Sequence, residues 1–244
     1  MTDSPLLVPI LFALTCLPGY ALLTVTRAWA GWRGWQRFCL AVGISLALYP
    51  ALFYFARWIA PDFGFQPWVW WGLLLISAAV IGLDWWRRRP PLTPPDAGAW
   101  AFGAILLLTF LSRAWVAWEH PYPAWTDSLH HTLATALTAQ NGRLPTGLLP
   151  YFDTPFSLYH LGLYAITGAA AQAAQAPAHS ALLWTAQLLN TYAVLGVFLV
   201  LDRYVSRTAA LVGALTVGLL AHQPAFYVNW GRFTQLSSQT IFLI

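Results

Sequence analysis

The chain has 244 residues, of which 59% are hydrophobic and only 8% are Asp, Glu, Lys or Arg. A water-soluble domain carries roughly a quarter charged residues, so this composition excludes a soluble enzyme. The net charge of +4 comes from a scarcity of acids, 12 basic against 8 acidic residues, and no basic block exceeds Arg87-Arg88-Arg89, which excludes a disordered or nucleic-acid-binding chain.

A membrane-spanning helix needs about 20 predominantly apolar residues. The first such run is Pro5 to Thr26, which differs from a secretory signal in having Asp3 and no basic residue ahead of it, and prolines at 9 and 18 within it. Arg27, Arg33 and Arg37, interleaved with tryptophans, follow as an interfacial connection. Phe38 to Ala60 and Pro67 to Trp86 are the second and third spans, joined by Pro61-Asp62-Phe63-Gly64, and the third ends at Arg87-Arg88-Arg89. The positive-inside rule makes both arginine-rich connections cytoplasmic and sets the N-terminus outside. Tryptophans such as Trp58, Trp68, Trp85, Trp86, Trp100, Trp118 and Trp184 fall at the ends of apolar runs, the pattern of an interfacial aromatic belt. The two cysteines, Cys16 and Cys39, give neither a disulfide framework nor a metal spacing.

Residues 1–89 read as a three-helix leader, and the proline-rich stretch 90–96 as a stiff cytoplasmic linker to a second module, 97–244. Ala97 to Trp118 is the fourth span and runs outward, so the polar stretch 119–154 is an external loop. Within it, WTDSLHHTLATALTAQNGRLP has the grammar of one helix: Thr126 or Asp127 caps its start, Gly142 ends it and Pro145 blocks continuation. Leu129, Leu133, Ala136, Leu137 and Gln140 share a face suited to resting on the membrane surface. Asp127, His130 and His131 share the first turn, although adjacent histidines diverge by about 100° and suit a common metal poorly.

Pro155 to Ala174 and His179 to Leu201 are both apolar. If both span, Arg203 and Arg207 fall outside, against the charge rule; a re-entrant or juxtamembrane first segment, fitting its Gly, Ala and Gln content, restores them to the cytoplasm. His160 lies where that segment enters the apolar zone, between Tyr159 and Tyr164. Thr208 to Ala221 returns outward, an external turn covers His222 to Gln235, and a last apolar run begins near Leu236. The expected fold is thus an all-α bundle of about seven spans plus the start of another, the N-terminal part of a longer polypeptide. In the external turn, Arg232 with Thr234, Gln235 and Ser238 nearby has the donors to hold a phosphate, as an alternative to a snorkelling anchor. Arg113 poses the same choice.

Trp118 to Ala174 resembles the first luminal region of the GT-C superfamily, polytopic glycosyltransferases that use polyprenyl-phosphate-linked sugars. The resemblance rests on an outward-running helix, the acidic Asp127, a short helix to Gln140, the Asn141-to-Pro145 ending, and an aromatic-proline segment from Pro150 leading to the Tyr-His pair at His160. It implies a cell-envelope transferase in a bacterial or archaeal plasma membrane, with the bilayer and a polyprenyl-phosphate sugar donor as partners. Asp127 would act as base or positioner of the acceptor, or in some members bind a divalent metal; no other cofactor is implied. Arg232 would hold the lipid phosphate, and His130, His131, Asp153 and His160 would line the cleft. A transporter or flippase, or a non-catalytic assembly protein, are the alternatives.

Overall fold

The computed structural model describes residues 4–28, 31–89, 94–156 and 159–244. Those residues form helices and no strand: α1 (Leu7–Thr26), α2 (Gly34–Ile59), α3 (Pro67–Arg88), α4 (Ala97–Glu119), α5 (Asp127–Asn141), α6 (Gly162–Ala174), α7 (Ala178–Tyr204), α8 (Arg207–Leu215), a π-helical turn Thr216–Leu220, α9 (Ala225–Asn229) and α10 (Phe233–Leu243). Six stretches are long and apolar enough to cross a membrane: α1, α2, α3, α4, α7 and the run Arg207–Asn229 that joins α8 to α9. This is the all-α bundle of a multi-pass membrane protein. The proline-rich residues 90–93 of the expected linker lie outside the described residues, as do residues 157 and 158 of the segment before α6. Asp96 caps α4 by accepting a hydrogen bond from the Ala99 amide at 2.6 Å.

The helix α6 spans only 13 residues, about 20 Å, which is short of a bilayer crossing. It starts with Gly162 beside the ring of Pro50, in the middle of α2, and ends where the Ala174 carbonyl accepts from Ser4 at the head of α1. It therefore behaves as the re-entrant alternative, and nearly every residue in it is buried against protein. With α6 not crossing, α7 runs toward the end that carries Arg203 and Arg207. There the buried Asp202 carboxylate accepts from Gln36 and Arg207, both at 2.7 Å, and Arg203 stacks over Trp32. Arg27, Arg33, Arg37, Arg87, Arg88 and Arg89 lie at this same end, on the termini of α1, α2 and α3 and their connections. The opposite end holds α5, tied down by the Phe65 amide donating to the Gly142 carbonyl at 2.8 Å.

The bundle centres on α7, which is buried along nearly its whole length, whereas α3 and α4 present most of their surface outward. Most of the expected belt tryptophans are exposed, Trp58 at 82% and Trp68 at 70%, but Trp184 is part of the core. The first three helices pack on the later ones. Thr15 hydrogen-bonds Tyr192 of α7 at 2.7 Å, and the Trp70 indole donates to Gln172 of α6 at 2.6 Å.

Two boundaries differ from the sequence reading. The helix α2 starts at Gly34, so Trp35 and Arg37 are helical rather than in a connection; Gln36 closes a capping interaction by accepting from the Arg33 amide at 3.0 Å. The supposed turn His222 to Gln235 contains α9 and the first residues of α10.

Pro18 fixes how α1 meets α2. A proline has no N–H, so the Leu14 carbonyl one turn earlier loses its helical donor, and in an apolar interior that loss must be made good. The Tyr49 hydroxyl of α2 donates to it at 2.8 Å, and Ser45 accepts from the Gly19 amide at 2.8 Å. Gly19 permits this approach, because a Cβ there would collide with the Ala41 carbonyl oxygen. Substituting Gly19→Ala should therefore lower stability by about 2 kcal/mol, an overpacking cost, whereas Gly72→Ala, with open space around it, should be neutral or slightly stabilising. Thermal unfolding in detergent compares the two; equal behaviour would contradict the close contact.

Candidate functional site

The site begins with how α5 docks. Its inward face carries Ser128, His131, Ala134, Thr135 and Thr138, and packs on α6. Small side chains let the two backbones approach: a Cβ on Gly168 would lie 2.5 Å from Thr138 Cγ2, and the Thr135 and Thr167 hydroxyls hydrogen-bond at 2.9 Å. Leu137 turns inward, but Leu129 is 61% exposed, because close helix contact is made by small residues rather than by the leucines. The expected side-chain cap is also absent. Thr126 already has helical angles and makes no capping bond, while Trp125 turns the chain with φ +76° and Ser128 donates from its hydroxyl to the Ala124 carbonyl. Asp127 instead stands in the first turn, where the helix dipole favours its charge. Gly142 ends the helix in the left-handed conformation, as expected.

Against this helix start sits the corner between α9 and α10. Gly231 takes φ +64°, and a Cβ there would lie 3.5 Å from that of Asp127 and 3.4 Å from that of Trp125. The corner sets Arg232 and the first turns of α10 beside Asp127. The result is a cleft of about 410 Å³ lined by Asp127, His131, Tyr159, His160, Gly231, Arg232, Thr234, Gln235 and Ser238. Five residues singled out from the sequence, Asp127, His131, His160, Arg232 and Gln235, thus meet across three separate segments.

The others do not join them. His130 is exposed, 100° around the helix from His131, with its ring 5.6 Å from that of Phe152. Asp153 lines a different cleft of about 610 Å³ with Arg57, Asn141 and Arg143. His160 is exposed and precedes the start of α6 at Gly162, rather than lying inside an apolar helix. Arg113 is also elsewhere, donating to the Gly218 carbonyl of the π-helical turn at 2.9 Å. That carbonyl is near a helix end, where intrahelical donors run out.

The inner wall of the cleft is a hydrogen-bonded chain that the sequence did not disclose. His131 is 3% exposed, with Phe233 edge-on to its ring at 5.3 Å. Burial pushes its pKa down to about 4, against upward pulls from the Asp127 carboxylate and a hydrogen bond to the Gly231 main chain and a further downward push from His130. A neutral imidazole has one donor and one acceptor. With the Gly231 carbonyl taking the N–H, Nδ1 accepts from the Tyr164 hydroxyl at 2.7 Å, and the Tyr164 ring stacks on that of Tyr159 at the cleft wall. His131 accordingly holds the Arg232 corner to α6 and is not a proton carrier at neutral pH.

Chemically, the cleft offers one carboxylate, one guanidinium, one exposed imidazole, and hydroxyl and amide groups. Among the described residues no three His, Cys, Asp or Glu side chains converge to hold a metal ion, and Nδ1 of His131 is already engaged. The residues do not fit a divalent metal. No family model, curated protein or solved structure matches the chain.

The depressed pKa of His131 has a consequence for stability. Its unfolded value is near 6.5, so the stabilisation is complete above that pH and is lost as pH falls from about 6.5 through about 4, in total about 3 kcal/mol. His131→Gln, which keeps one donor and one acceptor, should flatten this part of the profile. Thermal unfolding between pH 7.5 and pH 4 measures it, and an unchanged slope in the variant would refute the buried neutral histidine.

Proposed function

We propose that this protein is a membrane glycosyltransferase, moving a sugar from a polyprenyl-phosphate donor to an acceptor hydroxyl on the non-cytoplasmic face. The observation that carries the proposal is the meeting of Asp127 and Arg232 in one cleft rimmed by Tyr159, His160, Thr234, Gln235 and Ser238. The resemblance of Trp118 to Ala174 to the GT-C luminal region points the same way. Eight of the 12 arginines, Arg27, Arg33, Arg37, Arg87, Arg88, Arg89, Arg203 and Arg207, lie at the end of the bundle remote from the cleft. The positive-inside rule assigns that end to the cytoplasm, which supports a non-cytoplasmic cleft and an external N-terminus.

In this reading the acceptor oxygen bonds to the anomeric carbon as the bond from that carbon to the phosphate oxygen breaks. Asp127 takes the acceptor's proton, and the Arg232 guanidinium stabilises the charge on the departing lipid phosphate. A bidentate guanidinium matches phosphate geometry, and the amide and hydroxyls of α10 suit the sugar's hydroxyls. His131, held neutral, adds no charge.

Sugar transfer from a synthetic polyprenyl-phosphate donor, measured in membranes containing the protein, tests the reading. Asp127→Asn should lower kcat by about 100-fold or more with little change in KM, because it removes the base. Arg232→Gln should weaken both donor binding and turnover, while Arg143→Gln, in the other cleft, should leave transfer within about twofold. Transfer by Asp127→Asn at the wild-type rate would remove Asp127 from the chemistry.

A further inference from the structure

We infer that the second cleft at the α5 end of the bundle, the one of about 610 Å³, is a binding site for a neutral carbohydrate chain. Arg57 of α2, Asn141 at the end of α5, and Arg143, Thr146, Asp153 and Thr154 of the chain that follows supply its polar lining. It shares α5 with the Asp127 cleft but none of that cleft's lining residues, and it does not depend on the proposed transfer.

The charges count against an ionic ligand. Arg57 and Asp153 line the same space with opposite sign, and among the described residues neither makes an ion pair. Arg143 is already engaged: its Nη1 donates to the Pro61 carbonyl at 3.3 Å and lies 3.9 Å from the Asp62 carboxylate. An anion drawn to Arg57 is repelled by Asp153, and a cation the reverse. What the lining offers is hydrogen bonds of both kinds. A guanidinium only donates, a carboxylate only accepts, and the Asn141 amide and two threonine hydroxyls do both. None of these groups on Arg57, Asn141, Thr146, Asp153 or Thr154 is bonded to another described residue. A sugar hydroxyl both donates and accepts, and neighbouring hydroxyls suit the paired atoms of a guanidinium, a carboxylate or an amide. Leu137, Leu149 and Pro155 give apolar surface for the C–H faces of the ring.

The walls are fixed before a ligand arrives. Gly142, at φ +65°, turns the chain out of α5, and its carbonyl accepts from the Phe65 amide. Gly64 lets the connection from α2 to α3 rest on the Asn141 carbonyl, where a Cβ would lie at 2.5 Å. Gly147 and Pro155 then form an antiparallel bridge, in which the Leu148 amide donates to the Thr154 carbonyl at 3.1 Å and the Phe156 amide to the Thr146 carbonyl at 2.8 Å. This pairing brings Thr146 beside Thr154 and lowers the ordering cost of binding. A peptide fits less well. It takes a free strand edge or a continuous apolar groove, whereas the bridged edge contains Pro155, which has no N–H, and the cleft alternates polar with apolar side chains.

Titration calorimetry on the purified full chain in a sugar-free detergent tests the site. The probes are neutral hexasaccharides of α-linked glucose, β-linked glucose, mannose and galactose, set against hexagalacturonate and a Gly-Ser hexapeptide. The expected result is saturable binding of at least one neutral hexasaccharide, at least about tenfold tighter than hexagalacturonate or the peptide. The double variant Arg57→Gln/Asp153→Ala should weaken it at least about tenfold, because hydrogen bonds to charged groups are the strong ones. Both side chains are exposed and unpaired among the described residues, so the fold should tolerate the change. If that variant does not survive purification, Asn141→Ala alone should weaken binding at least about threefold, while Asp127→Asn, in the other cleft, should leave it within about twofold. No binding of any neutral hexasaccharide, equally tight binding of hexagalacturonate or the peptide, wild-type affinity in the Arg57/Asp153 variant, or loss of binding in Asp127→Asn would each overturn the proposal.

Discussion

In an apolar interior, every main-chain group released from a helix must find another partner, and most of this structure follows from how those partners are supplied. Pro18 strips the Leu14 carbonyl of its donor, and the Tyr49 hydroxyl and the Ser45–Gly19 bond lock α1 to α2 at that level. The helix α6 starts and stops within the bundle, so its surroundings must be satisfied by side chains. Gln172 does this with its whole amide, accepting from the Trp70 indole and donating to the Phe65 and Ala139 carbonyls at 3.0 and 2.7 Å. Arg113 serves the π-helical turn in the same way. These bonds join elements far apart in sequence and fix the frame at the cleft end.

Close packing then positions the cleft. The contact of α5 with α6 depends on Gly168, Thr138, Thr135 and Thr167, none of which supplies much apolar area. The corner at Gly231 rests directly on Asp127 and Trp125, and the buried His131 links that corner to Tyr164. A carboxylate and a guanidinium on segments about a hundred residues apart thereby face one space. In the proposed transfer this proximity carries the chemistry, one group accepting the acceptor's proton and the other holding the lipid phosphate.

The long helices were legible because apolar length and flanking arginines signal a span directly, and the Gly-Ala-Gln content of α6 already marked it as unsuited to lipid. Asp127, His131, His160, Arg232 and Gln235 were legible as polar groups flanking apolar runs, and the fold brings them to one cleft. What stayed hidden depended on tertiary contact. Spacing put Leu129 and Leu133 on one side of α5 but did not show that the Thr-Ala side faces inward. Asp153 and His130 share the loop with Asp127, yet a few residues of extended chain and 100° of helix rotation take them out of the cleft. The pairing of Arg113 with a π-helical turn left no mark in the pattern, because the turn itself is a departure from helical periodicity.

The siting of the cleft opposite the arginine-rich end, on the non-cytoplasmic side, is the claim on which the proposed chemistry stands. Labelling of single cysteines, introduced after Cys16 and Cys39 are replaced by Ala, with a membrane-impermeant maleimide in right-side-out vesicles tests it; Cys39 is buried and Cys16 half-buried. Gln235→Cys in the cleft should label in intact vesicles, and Arg89→Cys only after permeabilisation. The reverse pattern would put the carboxylate and guanidinium on the cytoplasmic side and contradict the siting.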